Sequence, residues 1–252
     1  TVPLMTGQGM IPDAEEAAKL ITSRTRAIAL VSPNNPCGVE YPSETLRAFM
    51  DLARAHGIAL IVDETYRDFD SREGAPHDLF ADPNWEDTLI QLYSFSKAYR
   101  LTGHRVGAVI ASVERLAEIE KFLDTVTICP NQLGQRAALW GMRNLGDWLA
   151  GERLEILDRR AAISDHFHLL ADKGWELLGC GAYFAYVQHP YDISSADLAP
   201  LLVKEAGVLL LPGTMFMPDD LPGGERQLRI AFANIDRAGV ATLFNRLSSL
   251  TL

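Results

Sequence analysis

The stretch GIALIVDETY, residues 57–66, decides the fold class of this chain. Five apolar residues, from Ile58 to Val62, run directly into Asp63 and Glu64. A short apolar run of this kind is typical of a strand that is buried on both faces of a parallel sheet. Open α/β sheets bind their ligands at the carboxyl ends of the strands, where Asp63 would lie. Asp63 is therefore a candidate site residue, although a helix N-cap or a loop acid would give the same local pattern.

A second apolar run leads to a lysine in the stretch LIQLYSFSKA, residues 89–98. Lys97 closely follows the predicted strand, and Ser94 and Ser96 precede it. Because burial disfavours the ammonium form, an amine held here would be a nucleophile that can form an imine. Most lysines are solvated surface charges, so Lys97 alone would not indicate catalysis.

Two further segments place polar groups beside predicted strands. The run AIALV, residues 27–31, continues into SPNNPCG, residues 32–38, whose composition predicts a sharp turn that presents Asn35. The stretch GHRVGAVI, residues 103–110, has Arg105 at the start of another apolar run. A guanidinium there can bind a phosphate or a carboxylate bidentately. A plain connecting loop and an ordinary surface arginine are the alternatives.

Together, these segments resemble the signature motifs of the class I/II aminotransferases, which are pyridoxal-phosphate enzymes of the aspartate-aminotransferase fold type I. The motifs are NPCG at 35–38, DETY at 63–66, SFSK at 94–97 and Arg105, in the family's order and rough spacing. The resemblance implies an α/β fold with a mainly parallel sheet and helices on both faces, plus a smaller C-terminal α+β domain. It assigns residues 1–145 to the C-terminal part of the large cofactor-binding domain, and residues 146–252 to a linking helix and the small domain.

The resemblance implies pyridoxal 5′-phosphate as the cofactor and gives catalytic roles to Lys97, Asp63 and Tyr66. Lys97 would hold the cofactor aldehyde as an imine and, once displaced by the substrate, would move a proton as general base and acid. Asp63 would pair with the pyridine nitrogen, because an opposite charge stabilises the protonated ring that withdraws electrons. Asn35 and Tyr66 would donate hydrogen bonds to the cofactor 3′-oxygen.

The same resemblance assigns the phosphate to Ser94, Ser96 and Arg105, although Ser96 could also point away from the site by strand-like alternation. Arg229 lies in the apolar run QLRIAFAN, residues 227–234, and an arginine buried there needs an anionic partner. The resemblance makes that partner the substrate α-carboxylate, which Arg229 would bind bidentately beside Asn35. A structural salt bridge within the chain is the alternative.

The sequence departs from the family pattern in three places. Cys37 stands where the family most often has threonine, and Met217 stands where a family loop usually has glycine. Family members are also longer than 252 residues, and this sequence begins at Thr1. We therefore expect a large domain that is incomplete at its N-terminus, and we expect these 252 residues alone to carry only part of the cofactor site.

Composition excludes several other classes of protein. The chain is 48% hydrophobic and 22% charged, as in an ordinary globular protein. Its net charge of −10 argues against nucleic acid or an anionic membrane as the main partner. The three cysteines are far apart and predict neither a metal site nor a disulfide framework, which indicates a reducing, cytoplasmic location. No apolar run has the length of a membrane span.

The hydrophobic pattern alternates strand and helix in the first part of the chain. It predicts strands at about 26–31, 58–63, 88–93 and 105–111, with helices at about 43–56 and 113–128. Ser43 is the expected N-cap of the first of these helices. Further on, it predicts a helix-rich segment at about 131–172, strands at about 183–188, 208–211 and 227–233, and helices at about 194–206 and 236–250.

The predicted function is transfer of an amino group between an amino acid and a 2-oxo acid, by a homodimer if the resemblance extends to assembly. A lyase or decarboxylase of the same fold would use the same cofactor-binding motifs. An aminotransferase-like domain that senses a ligand in a transcription regulator is the alternative from another class.

Overall fold

The strands predicted around Asp63 and Lys97 form one sheet in the computed structural model, which describes residues 2–4, 6–218 and 223–250. The chain divides into two compact units, one of Thr1–Pro33 with Glu40–Arg153, the other of Asn34–Val39 with Leu154–Leu252. The sequence placed a domain boundary after residue 145, whereas the compact units divide after Arg153. The functional domains stay a prediction.

The sheet of the first unit is mainly parallel, as predicted. Its strand order is β1 (Ala27–Val31), β2 (Ala59–Asp63), β3 (Leu89–Ser94) and β4 (Gly107–Ile110). β1, β2 and β3 run parallel, and β4 is antiparallel to β3. Val31 pairs with Asp63, and Asp63 pairs with Leu92, so the three parallel strands end close to the same edge. Leu60, Val62 and Leu89 are fully buried and lie on one face of the sheet, whereas the alternate residues Ala59 and Ile61 are half-buried. The prediction of a strand buried on both faces is therefore met in full on one face only.

Within the described residues, the α-helices that lie wholly in the first unit are α1 (Ala14–Ala18), α2 (Ser43–Ala55), α3 (Phe95–Ala98), α4 (Val113–Val126) and α5 (Gln132–Asn144). α2 buries Leu46, Phe49, Met50 and Ala53, which recur at the spacing of one helical face. The expected N-cap role of Ser43 is wrong. Pro42 occupies the cap position, and the Ser43 hydroxyl instead donates to Asp78 Oδ1 at 3.0 Å.

The second unit is built around an antiparallel sheet with the strand order β5 (Glu176–Gly181), β6 (Phe184–Gln188), β8 (Gln227–Ala231) and β7 (Leu211–Pro212). α6 (Gly146–His166) begins in the first unit and ends in the second. The other helices are α7 (His168–Ala171), α8 (Ser195–Leu201) with a following π-helical turn (Leu202–Ala206), and α9 (Arg237–Ser248). Leu198, Leu202, Phe232 and Phe244 form part of its core.

The strand β5 was not predicted from the sequence. It contains Gly179 and Cys180, and its register with β6 shifts between Leu177 and Gly179. Glycine is a poor strand former, so the hydrophobic pattern there is weak. The glycine is nevertheless required, because a Cβ at position 179 would lie 2.5 Å from the Cys37 carbonyl oxygen.

Two negative expectations can be compared with the described part of the chain. Among residues 2–4, 6–218 and 223–250, no His, Cys, Asp and Glu side chains group in threes in a way that could hold a metal ion. Over the same residues, none of the helices combines the length and the apolar character that a membrane crossing requires.

Candidate active site

Asp63 ends β2 with its carboxylate held in place by its own turn. Asp63 Oδ1 accepts hydrogen bonds from the Thr65 backbone N at 2.9 Å and from Thr65 Oγ1 at 2.7 Å. Both hydrogen bonds fix the orientation of the carboxylate. The Asp63 side chain is half-buried and lies at the end of β2, where the sequence predicted it.

Lys97 lies on α3, the single turn of helix that directly follows β3. The helix forms here because Ser94 caps it, with Ser94 Oγ accepting from the Ser96 backbone N at 3.2 Å. Lys97 is half-buried, and its Nζ lies 5.9 Å from the ring centroid of Tyr66. Tyr66 is 5% exposed. The structure thus brings Lys97 beside one residue of the DETY motif, at the edge where Asp63 ends the neighbouring strand.

A hydrogen bond that sequence reasoning missed fastens this arrangement. Tyr93 Oη donates to Asp68 Oδ2 at 2.6 Å, which joins the end of β3 to the segment that follows Tyr66. Burial, followed by the bond to Asp68, raises the pKa of Tyr93 well above its usual range. The Tyr93 ring also packs edge-to-face against Phe95 at 5.0 Å between centroids. Strand alternation gives the face of Tyr93, but no local pattern predicts Asp68 as its partner.

Glu64, the second acid of the DETY motif, is a buried structural residue. It is 1% exposed, and its Oε1 lies 3.1 Å from His77 Nε2 while its Oε2 accepts from Arg67 Nη1 at 3.4 Å. A carboxylate buried to this extent needs such partners. Asp63 and Glu64 therefore have different surroundings, although they are adjacent in sequence.

The three candidate phosphate ligands lie near the end of β3 and the start of β4. Ser94 pairs with Gly107 across these strands, Ser96 is 8% exposed, and Arg105 is exposed. Thr102 connects two of them, since its Oγ1 donates to the Ser96 carbonyl at 3.0 Å and its carbonyl accepts from Arg105 Nη1 at 3.0 Å. Sequence reasoning did not single out Thr102. Its position between Lys97 and Arg105 was the only available signal.

In the second unit, the structure brings Arg229 and Asn35 together although they are far apart in sequence. Arg229 lies on β8, and its Nη1 donates to Asn35 Oδ1 at 2.7 Å. The Arg229 Cζ also lies 4.5 Å from the Phe184 ring centroid and 4.8 Å from that of Phe216. Both distances are within the range of cation–π attraction.

The turn that carries Asn35 is tightly specified. Asn34 and Val39 close it through a 2.8 Å backbone bond, and Gly38 N donates to the Asn34 carbonyl at 2.8 Å. Cys37 is buried, its thiol donates to Asn34 Oδ1 at 2.9 Å, and burial raises its pKa. The thiol thus acts as a hydrogen-bond donor at the position where the sequence departs from the family's usual threonine.

The model of the family described as aminotransferase class I and II matches residues 1–247. The chain belongs to this family. The predicted α/β fold, and the predicted likeness to aminotransferases of the aspartate-aminotransferase type, are thereby confirmed.

Relatives of this aminotransferase chain include aspartate aminotransferase of Sulfolobus acidocaldarius, which is 25% identical over 91% of this chain and 58% of that protein. Arginine–pyruvate transaminase AruH of Pseudomonas aeruginosa is 33% identical over 86% of this chain and 55% of that protein. A double mutant of Thermus thermophilus aspartate aminotransferase superposes with a TM-score of 0.84 at 25% identity, covering 98% of this chain and 63% of that chain. The chain thus spans little more than half the length of the curated relatives it matches.

Proposed function

We propose that the protein is a pyridoxal-phosphate-dependent aminotransferase that moves an amino group between an amino acid and a 2-oxo acid. The observation that carries the proposal is the placement of Lys97 Nζ beside the buried Tyr66, at the sheet edge where Asp63 ends β2. Family membership over residues 1–247 supports the same function.

The donor set of the site fits the cofactor chemically. It combines one amine, one carboxylate, one phenol, one side-chain amide, two hydroxyls and one guanidinium, which match an aldehyde, a pyridine nitrogen, a phenolic oxygen and a phosphate. Lys97 would attach the cofactor, Asp63 would hold the proton of the ring nitrogen, and Tyr66 and Asn35 would donate to the 3′-oxygen. The phosphate ligands in this chain would be Ser94, Ser96 and Arg105. When bound, pyridoxal phosphate supplies an electron-withdrawing ring that stabilises negative charge at the substrate Cα.

Lys97 is the proposed proton carrier. As a free amine, its Nζ would take the proton from the substrate Cα and, in the same half-reaction, would deliver a proton to the C4′ carbon of the cofactor. The Lys97 side chain is half-buried, and a general base at this place must be a neutral amine when it accepts the proton. The adjacent Tyr66 ring limits where the lysine side chain can lie, which helps to aim the amine.

Arg229 is the proposed carboxylate ligand, and Asn35 its fixed neighbour. A guanidinium on a strand presents its N–H groups in a rigid plane that suits a carboxylate. The relatives' names include aspartate, methionine and arginine as donors, so we propose the substrate class as amino acids with 2-oxo acid acceptors.

A transfer assay with a labelled amino acid and 2-oxoglutarate tests the function. We expect labelled glutamate in the presence of cofactor, and borohydride reduction followed by peptide mass mapping should find the reduced adduct on Lys97. Lys97→Ala should abolish both, while Lys173→Ala, at another lysine of the chain, should leave both unchanged. Ammonia and pyruvate formed without any acceptor would instead indicate a lyase.

We further propose a homodimer in the cytoplasm. The apolar side chains exposed on α4 and α5, among them Phe122 and Trp140, support an interface with a second copy. The free cysteines Cys37, Cys129 and Cys180 support a reducing compartment. Sedimentation would detect the dimer, and cell fractionation would test the location.

A further inference from the structure

We propose that Phe184 and Phe216 are positioning residues that hold the Arg229 guanidinium in the plane it needs to bind a substrate carboxylate. The inference rests on the proposed function for the identity of the ligand. Its geometric part stands on the contacts of Arg229 alone.

The two rings reach Arg229 from different elements of the second unit. Phe184 is the first residue of β6, is 5% exposed, and lies two residues before Tyr186, which pairs directly with Arg229. Phe216 ends the short 3-10 turn Gly213–Phe216 that follows β7, and β7 pairs with β8 at Arg229. A Cβ at position 213 would lie 2.6 Å from the Gly224 carbonyl oxygen, so the backbone packs closely at the start of this turn.

The ring contacts restrict the tilt of the guanidinium plane, whereas the hydrogen bond to Asn35 does not. Guanidinium groups lie over aromatic faces, where electrostatic attraction acts on the planar cation and leaves its in-plane N–H groups available as donors. The bond from Nη1 to Asn35 Oδ1 fixes rotation within that plane. Together, the rings and the amide specify both the plane and the direction of the side chain. Less conformational entropy is then lost when a carboxylate binds.

The chemistry of these contacts also preserves the charge of Arg229. Aromatic rings and a neutral amide stabilise a cation without contributing a negative charge, unlike a carboxylate partner. Phe184, Phe216 and Asn35 therefore orient the guanidinium without adding a negative charge beside it.

The test compares Phe216→Leu with Phe216→Tyr in the holoenzyme. Leucine keeps the apolar volume but removes the aromatic face, whereas tyrosine keeps the face. With the fastest donor among L-aspartate, L-methionine and L-arginine, we expect Phe216→Leu to raise KM roughly threefold to tenfold with kcat nearly unchanged. The matching amine, which is the donor amino acid without its α-carboxylate, should react at the same rate with both variants and with the wild type. Phe216→Tyr should restore the wild-type KM.

Met215→Ala is the matched control, because Met215 belongs to the same turn but is 66% exposed. It should leave KM and the thermal unfolding midpoint unchanged. The inference would be overturned if Phe216→Leu raised KM equally for the amino acid and for the amine. It would also be overturned if Phe216→Tyr raised KM as much as Phe216→Leu.

A second measurement does not depend on catalysis. Nitrogen-15 NMR of the arginine side chains, with the Arg229 signals assigned by their loss in Arg229→Lys, reports rotation about the Nε–Cζ bond. We expect slow rotation in the wild type and in Phe216→Tyr, and at least threefold faster rotation in Phe216→Leu. Equal rates in all three would overturn the positioning role. If the wild type transferred no amino group, the proposed function would be overturned. The NMR rotation rates would still decide whether Phe216 positions the Arg229 guanidinium.

Discussion

Lys97 and Asp63 take their properties from residues that sequence reasoning only partly identified. Ser94 caps the helical turn that carries Lys97, and Thr65 fixes the carboxylate of Asp63. Tyr66 lies beside the lysine, and the bond between Asp68 and Tyr93 holds the segment that follows Tyr66. The side chains of the candidate site are thus kept in position by short, local contacts, each of which can be removed singly.

Asp63→Asn keeps the size of the side chain and an acceptor for Thr65, but it removes the negative charge. We expect turnover to fall about a hundredfold, as when a charge that stabilises a transition state is removed, while the cofactor is retained. Steady-state kinetics and a cofactor absorbance titration measure the two effects. Thr65→Val is the control, since it loses the 2.7 Å hydroxyl bond and keeps the charge, and its loss of turnover should be much smaller. Wild-type turnover in Asp63→Asn would contradict the assigned role.

Tyr93→Phe removes the donor to Asp68 and leaves the rest of the ring in place. We expect the free energy of unfolding to fall by about 1–2 kcal/mol, because the half-buried acceptor loses its hydrogen bond. Denaturant unfolding of Tyr93→Phe, Asp68→Asn and the double variant forms a cycle in which the two losses should not add. Full additivity would show that the two side chains do not interact in solution.

At the scale of elements, the turn Asn34–Val39 is fixed by close contact with the strands of its own unit. Gly38 has φ of 73°, and a Cβ there would lie 2.3 Å from the Phe184 carbonyl oxygen. Asn35 precedes Gly38 in the same turn, so the position of this partner of Arg229 depends on a residue without a side chain. The NPCG motif therefore contains both the partner of Arg229 and the glycine that allows its turn to pack closely.

Gly38→Ala should be strongly destabilising, because it combines a left-handed backbone with a steric clash against main-chain atoms. We expect a loss of about 3 kcal/mol or more in the free energy of unfolding. Gly207→Ala is the matched control in the same unit, since Gly207 has a similar φ of 62° but its nearest neighbour is the end of the Arg246 side chain. It should lose about 1 kcal/mol. Equal losses in thermal or denaturant unfolding would show that the predicted clash is relieved.

His189, the residue that follows β6, is expected to make the stability of the second unit depend on pH in the acid range. His189 is fully buried and packs against Trp175 and Tyr191, at 6.2 Å and 6.0 Å between ring centroids. Burial, followed by the nearby charge of Arg226, lowers its pKa. Because the pKa of His189 is lower in the folded state, the folded protein binds fewer protons than the unfolded protein. The contribution of neutral His189 to the free energy of unfolding is therefore present above the unfolded pKa of about 6.5, and it is lost as the pH falls through the folded pKa.

His189→Phe should flatten this acid dependence, which unfolding measurements below about pH 6.5 would detect. His56→Gln serves as the control, because His56 is exposed, and its profile should follow the wild type. An unchanged acid dependence in His189→Phe would place the responsible group elsewhere.

At the scale of the whole chain, α4 is an unusual helix. None of its residues, all of which the structure describes, is buried, and Val113, Phe122 and Val126 are largely exposed. α5 adds Leu133, Trp140 and Met142. Several large apolar side chains exposed on two consecutive helices are typical of a protein–protein interface rather than of a monomer surface.

If α4 and α5 contribute to a homodimer, the double variant Phe122→Glu and Trp140→Glu should shift the protein toward monomer in sedimentation equilibrium. Charges placed on both sides of a two-fold interface repel each other and lose the apolar contact. Leu154→Glu, at an apolar residue exposed on α6, is the control and should leave the assembly unchanged. A wild-type monomer at micromolar concentration would contradict the dimer.

The sequence predicted the fold where apolar runs are continuous, and it failed where glycine interrupts them. β2 and β3 lie within one residue of their predicted bounds, whereas β5 was missed because Gly179 and Cys180 weaken its pattern. The strand predicted at about 208–211 is only Leu211–Pro212. For the candidate site, motif resemblance supplied residues as distant as Asn35 and Arg229.

Contacts that depend on tertiary packing could not be predicted in this way. Asp68 and Thr102 carry no motif, and their partners, Tyr93 and Ser96, lie on a neighbouring element. Phe216 contacts Arg229 only because a turn brings it back over β8. Pattern analysis gives the face of a residue, but it does not give the side chain that meets it from another strand.

The different surroundings of the three cysteines make selective labelling possible. Cys37 is buried with a raised pKa, whereas Cys129 is exposed in the link between α4 and α5. A maleimide dye at neutral pH should therefore attach to Cys129 once the half-buried Cys180 is replaced by serine. The fluorophore would then sit beside the apolar helices, and its emission would report directly on whether that surface is covered in solution.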